Sequence, residues 1–258
     1  GVEHPPYALY LGGYIQSSGL DEMVYHSVMA HTPLLAHPRP KSVFIGGSGE
    51  GFLLREVLRH NTVQDVVMVD IDGELMEIAQ ERLSAFHQGS FRDSRAEVVT
   101  GDARAHLETV DVDRLFDVIA LDFNEFYFPK APTDPSTCLH LGGLFSQDFY
   151  GVVKRRLRPG GIVVSQAPGY HECPVRSSLL RHFKFVSLAA VPMVSYPFNL
   201  FFVASDSLDV VALSAADADS RIKERIIAPS PGQADRMVYS GALYTQLWDL
   251  HSRLEARG

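Results

Sequence analysis

Cysteine is scarce in this 258-residue chain: Cys138 and Cys173 are the only two. That excludes a disulfide framework, and a reduced, cytoplasmic setting is expected. Basic residues are outnumbered, with 23 Lys and Arg against 31 Asp and Glu, for a formal charge of −8. A nucleic-acid partner needs a basic stripe to meet its phosphates, and here Lys and Arg are scattered, so none is expected. An unbroken hydrophobic span is also missing. The most apolar stretch, Phe183 to Ala204, is interrupted by Pro192 and Pro197 and carries Ser187, Ser195 and Asn199. It reads as two buried strands joined by a turn, and no membrane partner is expected. The start, Gly1 to Leu11, lacks the basic head and apolar core of a signal peptide. No Gly-x-Ser-x-Gly elbow, P-loop or HExxH is present, and there is no internal repeat. What remains, with 46% hydrophobic and 21% charged residues, is an ordinary globular composition.

The pattern that is present alternates apolar strands with amphipathic helices. Residues 1–24, with Gly12-Gly13 and Ser17-Ser18-Gly19, suggest a small strand or hairpin. Met23, Val24, Val28, Leu34 and Leu35 predict a helix from Asp21, as its cap, to His37, stopped by Pro38 and Pro40. Residues 1–40 are therefore expected to be a short β/helical segment and 41–258 the main domain. Strands are predicted at Ser42–Ile45, Val66–Val69, Glu97–Thr100, Phe116–Leu121 and Ile162–Gln166. Helices are predicted at Phe52–His60, Gly73–Phe86, from Gly101-Asp102 to about Val110, and at Gln147–Leu157, with Arg158 to Gly161 as a turn. Continuous apolar runs separated by helices imply a doubly wound, mostly parallel sheet. Phe185–Val191 and Leu200–Ala204 should close its edge. From about Asp217, one helix, a link at Pro229–Gly232 and a final helix complete the chain.

Chemistry gathers at the strand ends. Ile45-Gly46-Gly47-Ser48-Gly49-Glu50-Gly51 lies between the first strand and helix of the main domain, where α/β proteins bind nucleotides. Gly47 and Gly49 allow a ligand close to the backbone. Glu50 would repel a pyrophosphate, which prefers bare amides, but would attract a sulfonium or an amine. Asp70 ends the second strand, where a carboxylate can accept both ribose hydroxyls. Asp102 follows the third strand, placed for an adenine amino group, and Asp122 follows the fourth. In this topology the four acids converge on one crevice.

These residues resemble the polyamine aminopropyltransferases, the spermidine synthase family. The matches are Gly49-Glu50-Gly51 with Arg55 to His60, Val69-Asp70-Ile71-Asp72-Gly73-Glu74-Leu75, and His87-Gln88-Gly89. Upstream, Ile15-Gln16-Ser17, Asp21-Glu22 and Tyr25-His26 match the family's N-terminal segment, and Ser195-Tyr196-Pro197 falls where it carries a substrate-facing aromatic. The resemblance implies a Rossmann-like, class I methyltransferase-type fold with a short N-terminal β segment. It implies that Gln16, Gly47, Gly49, Glu50, Asp70, Asp102 and Ala103 hold the nucleoside donor. His26, Glu125, Gln166 and Tyr196 would line the acceptor's place, and Asp122, supported by Tyr25, would be catalytic. The co-substrate would be decarboxylated S-adenosylmethionine or S-adenosylmethionine, with no metal. The acceptor would be a small-molecule amine and the assembly a homodimer. The acceptor side departs from the family pattern. Asp-x-x-Asp-Pro is Asp122-Phe123-Asn124-Glu125-Phe126 here, the loop to Leu144 is longer, and Ser48 replaces a usual glycine.

Other patterns compete. Cys138-x-His140 and His171-x-Cys173 could supply zinc ligands, but in no standard spacing. His31 and His37 suit packing or helix-surface roles. Trp248 with Leu243, Leu247 and Leu250 forms an apolar helix face for the core or a second subunit. The leading expectation is aminopropyl transfer to an amine with release of methylthioadenosine. Methyl transfer, aminocarboxypropyl transfer or cyclisation from intact S-adenosylmethionine is the alternative on the same fold. A non-catalytic nucleoside-binding protein is the third.

Overall fold

The computed structural model describes residues 7–123, 143–166, 175–191, 193, 195, 199–227 and 239–255. Among these, β1 (Ala8–Leu11) and β2 (Tyr14–Ser18) form an antiparallel hairpin, turned by Gly12 and Gly13, both at positive φ. Helix α1 (Glu22–Ala36) follows. Its Val28, Met29, Leu34 and Leu35 enter the same core as the central strands. Asp21 precedes the helix but makes no side-chain cap bond, contrary to the expected role. Its carboxylate is taken by Ser195, as described below.

Among the described residues the main sheet has seven strands. β3 (Ser42–Gly47), β4 (Asp65–Asp70), β5 (Ala96–Thr100), β6 (Phe116–Asp122) and β7 (Leu157–Gln166) are parallel. β8 (Phe185–Val191) and β9 (Asn199–Ser205) form the antiparallel edge, and the order is β5-β4-β3-β6-β7-β9-β8. This is the doubly wound topology that the alternating pattern predicted, and strands buried on both faces explain the continuous apolar runs. The intervening helices are α2 (Phe52–Leu58), α3 (Gly73–Arg82), α4 (Ser84–His87), α5 (Ala103–Thr109), α6 (Gln147–Arg156) and α7 (Val175–Leu180). Helices α8 (Ala215–Arg225) and α9 (Gly241–Glu255) pack behind α1 and β8, and Leu247 and Trp248 of α9 are in the core. No helix among the described residues is long and apolar enough to cross a membrane.

Two further expectations needed correction, and one helix was not anticipated. The helix predicted over Gly73–Phe86 breaks at Leu83, which lets Phe86 turn inward to 5% exposure. Arg158 to Gly161 is the first part of β7 rather than a turn, with a register shift against β6 between Phe116 and Val118. Helix α7 carries too few turns to announce itself and was missed. The Pro229–Gly232 link and the two Cys–His pairs lie outside the described residues.

Register fixes the site. Gly47 is paired with Asp122, Gly46 with Val69, Asp70 with Thr100, and Leu121 with Ser165. The carboxyl ends of β5, β4, β3, β6 and β7 therefore finish level, and Asp70, Gly47, Asp122 and Gln166 stand side by side.

Candidate active site

A cavity of about 460 Å³ opens at these strand ends, within the size range of small-molecule sites. Gln16, Tyr25, His26, Gly47, Gly49, Glu50, Asp70, Asp102, Ala103, Asp122 and Gln166 all line it. The other two expected residues, Glu125 and Tyr196, lie outside the described residues. Seven carboxylates line the cavity, and no Lys or Arg does so among the described residues.

The glycine loop is shaped by close approach. Gly47 has φ +84°, and a Cβ there would collide with the Asp122 carbonyl oxygen. Ser48 also has positive φ, +64°, a conformation that costs a non-glycine residue on the order of 1–2 kcal/mol. Its buried hydroxyl has no hydrogen-bond partner among the described residues. Glu50 is buried beside the loop, and burial pushes its carboxyl above the usual range. The His26 charge opposes that shift and the Asp122 charge adds to it.

Asp70 Oδ1 accepts the Asp72 amide at 2.8 Å. Burial raises its carboxyl, although the amides of Asp72 and Gly49 oppose the rise. Asp72 in turn caps α3 by accepting the Leu75 amide at 2.8 Å. Asp102 lies at the exposed rim as the cap of α5, its Oδ1 accepting the Arg104 and Ala105 amides at 2.8 and 3.0 Å. Ala103, the next residue, and Gln16 of β2 also line the cavity.

At the other end, Tyr25 donates its hydroxyl to Asp122 Oδ1 at 2.6 Å. The Tyr25 ring meets Phe201 of β9 edge-on, with centroids 4.9 Å apart, which fixes its direction. His26 Nε2 is 3.9 Å from Asp122 Oδ2. Glu22 and Asp21 also line the cavity. Asp21 accepts the Ser195 amide at 2.6 Å and the Ser195 hydroxyl at 2.6 and 2.7 Å, tying the β8–β9 connection to the start of α1. The sequence offers Asp21 as a helix cap and Asp21-Glu22 as a family match, and it gives Arg55, which grips Glu22, no role of its own. The one available signal was the repeated presence of charge on segments otherwise apolar. A carboxylate at the end of a parallel strand can hold a hydroxyl or a cation, and one paired with a tyrosine hydroxyl can orient and deprotonate an amine.

The spermine/spermidine synthase domain model matches residues 22–209. Polyamine aminopropyltransferase 2 of Hyperthermus butylicus is 41% identical over 229 residues, covering 85% of this chain and 70% of that one. The polyamine aminopropyltransferase of Pyrobaculum aerophilum is 39% identical over 224 residues, covering 84% and 74%. In fold, the chain is similar to a spermidine synthase crystallised with the transition-state analogue AdoDATO. That match has a TM-score of 0.77 at 24% identity, over 96% of this chain and 79% of that one.

Proposed function

Because this chain belongs to the spermine/spermidine synthase family, we infer that it is a polyamine aminopropyltransferase, an enzyme that moves an aminopropyl group from a sulfonium donor to an amine. The donor in this reading is decarboxylated S-adenosylmethionine and the leaving group methylthioadenosine. The observation that carries it is the charge of the cavity: seven carboxylates and no Lys or Arg among its described residues. The sulfonium donor and the ammonium acceptor are both cations, whereas the carboxylate of intact S-adenosylmethionine would meet an excess of like charge.

Within this reading Asp70 accepts the ribose hydroxyls through the carboxylate edge left by the Asp72 amide. Glu50 pairs with the donor's primary amine, and Gly47 and Gly49 let the nucleoside approach the backbone. Gln16, Ala103 and Asp102 bound the donor's end, with Asp102 offering its second oxygen to the adenine. Asp122 receives the acceptor's ammonium. An amine is mostly protonated near neutral pH, so it must lose a proton before its lone pair can displace sulfur. Asp122 takes that proton while Tyr25 holds the other carboxylate oxygen, and Gln166 bounds the acceptor's path. The nitrogen then forms a bond to the carbon next to sulfur as the carbon–sulfur bond breaks, leaving a neutral thioether. Holding both reactants in line supplies much of the acceleration. Glu125 and Tyr196 are assigned to the acceptor by family resemblance alone. Mass spectrometry of products from both donors, against a panel of di- and triamines, tests the reading. Methylated or aminocarboxypropylated product, with no aminopropyl product, would replace it.

A further inference from the structure

Behind Asp122 runs a buried chain of ionisable side chains: His26, Glu22, Arg55 and Glu56. His26 Nδ1 is 2.6 Å from the Glu22 carbonyl oxygen and 3.3 Å from Glu22 Oε2. Arg55 donates to Glu22 Oε1 at 3.2 Å and to Oε2 at 3.0 Å. It gives two further donors to Glu56 Oε1 and the Phe86 carbonyl, each at 2.7 Å. Glu22, His26, Arg55 and Glu56 are all buried. Four ionisable side chains held away from water form no ordinary packing element, because a buried charge is stable only beside an opposite one.

We propose that Glu22 and Arg55 are positioning residues for the transfer reaction, acting through His26, whose imidazole they hold as a cation against Asp122 Oδ2. The proposal rests on the aminopropyl-transfer reading of the same cavity. Two acceptors on Glu22 face Nδ1, so that nitrogen carries a proton. In a neutral ring Nε2 would then turn a lone pair toward a carboxylate, whereas a protonated Nε2 turns a donor. Burial pushes the His26 ring toward the neutral form, but the Glu22 hydrogen bond and charge, with Asp122 and Glu50, carry it above its ordinary value. Arg55 and His26 in turn hold Glu22 below the usual carboxylate range against its own burial. The groups facing His26 are Glu22 and Tyr25 from α1, Glu50 from the glycine loop and Asp122 from β6. From α2, the Phe52 ring lies edge-on at 5.5 Å, and Arg55 stands behind Glu22.

This arrangement does something a neutral residue could not. Glu50, Asp70 and Asp122 line one cavity, and their charges disfavour one another. A cation fixed at Oδ2 offsets that repulsion. With Tyr25 bonded to Oδ1, a positive ring 3.9 Å from Oδ2 biases how the carboxylate meets the amine.

The test is Glu22→Gln, which keeps the shape and an acceptor for Nδ1 but removes the charge. His26 should then lose its proton at lower pH. We expect turnover to fall by at least about tenfold above neutral pH, with donor affinity by calorimetry within about twofold. The alkaline side of the pH–rate profile should move down by about one unit or more. Loss of folding would lower activity at every pH and move no limb. Arg55→Lys, which keeps the charge without the two-pronged grip, should move the limb less, in the same direction. The charge is read directly by NMR titration of labelled histidines in the wild-type protein, with His26→Asn identifying the signal. A His26 signal titrating below about 6.5, or a Glu22→Gln profile superimposable on wild type after scaling, overturns the relay. Absence of any aminopropyl product overturns the underlying reading instead, and the NMR titration still decides the charge of His26.

Discussion

Asp122 accepts the Tyr25 hydroxyl through one oxygen and faces His26 with the other, so asparagine there keeps the size and one acceptor while removing the charge. General-base catalysis is typically worth about 10²–10⁴-fold, and we expect turnover of Asp122→Asn to fall by that order. Donor affinity and melting temperature should change little, and raising the pH should restore part of the rate, since more acceptor is then neutral. A mutant that melts early but turns over normally would remove Asp122 from the chemistry. Glu50 gives a second residue-level expectation. Its carboxyl is pushed up by burial, so part of it is protonated at pH values where an ordinary glutamate, near about 4.3, is ionised. A cationic donor binds the ionised form better. Binding should therefore release a proton and weaken as pH falls through the raised value. Calorimetry in two buffers of different ionisation heat measures this, and zero proton release across the mildly acidic range would separate Glu50 from the donor's amine.

Among the elements, the glycine loop is the least tolerant. Gly47→Ala needs a left-handed alanine whose Cβ strikes the Asp122 carbonyl, so β3 and β6 must part at their ends. Backbone strain of this kind costs on the order of 1–3 kcal/mol before the clash is counted. Donor binding should be lost even in folded material, which circular dichroism beside calorimetry would show. The β8–β9 connection depends on Asp21 in a similar way. Hydrogen bonds to a charged group contribute about 1.5–3 kcal/mol, and Asp21→Ala removes those to Ser195. We expect faster hydrogen exchange in the connection and a raised KM for the amine with donor affinity unchanged. Unaltered exchange there would show that Asp21 does not hold the connection. The strand ends that build this site were legible in the sequence because two central strands carry a continuous apolar run closed by an acid, Val66 to Val69 before Asp70 and Val118 to Leu121 before Asp122. Asp21 was misread because an aspartate before a helix usually caps it, and only the tertiary structure brings Ser195, 174 residues away, within reach. Arg55 was illegible for the same reason. Next to Glu56 on a short helix it looks solvated, and nothing local says that all of α2 is buried.

For the whole molecule, ligand binding should register as stability. A ligand at about 100 times its Kd adds about 2.7 kcal/mol, and each kcal/mol raises Tm by about 2–4 °C for a chain near this size. We expect decarboxylated S-adenosylmethionine to raise Tm by about 5–10 °C at such a concentration, and intact S-adenosylmethionine at the same concentration to raise it less. An equal or larger shift with the intact compound would reverse the donor assignment. The acidic wall that motivates this comparison has a consequence for the end of the cycle as well. The reaction consumes the sulfonium, so the nucleoside fragment passes from cation to neutral molecule while the carboxylates around it stay where they are. Whatever part of the grip was electrostatic vanishes with the carbon–sulfur bond. The spent nucleoside should accordingly leave faster than the unreacted donor, which makes bond breaking itself the trigger for emptying the site.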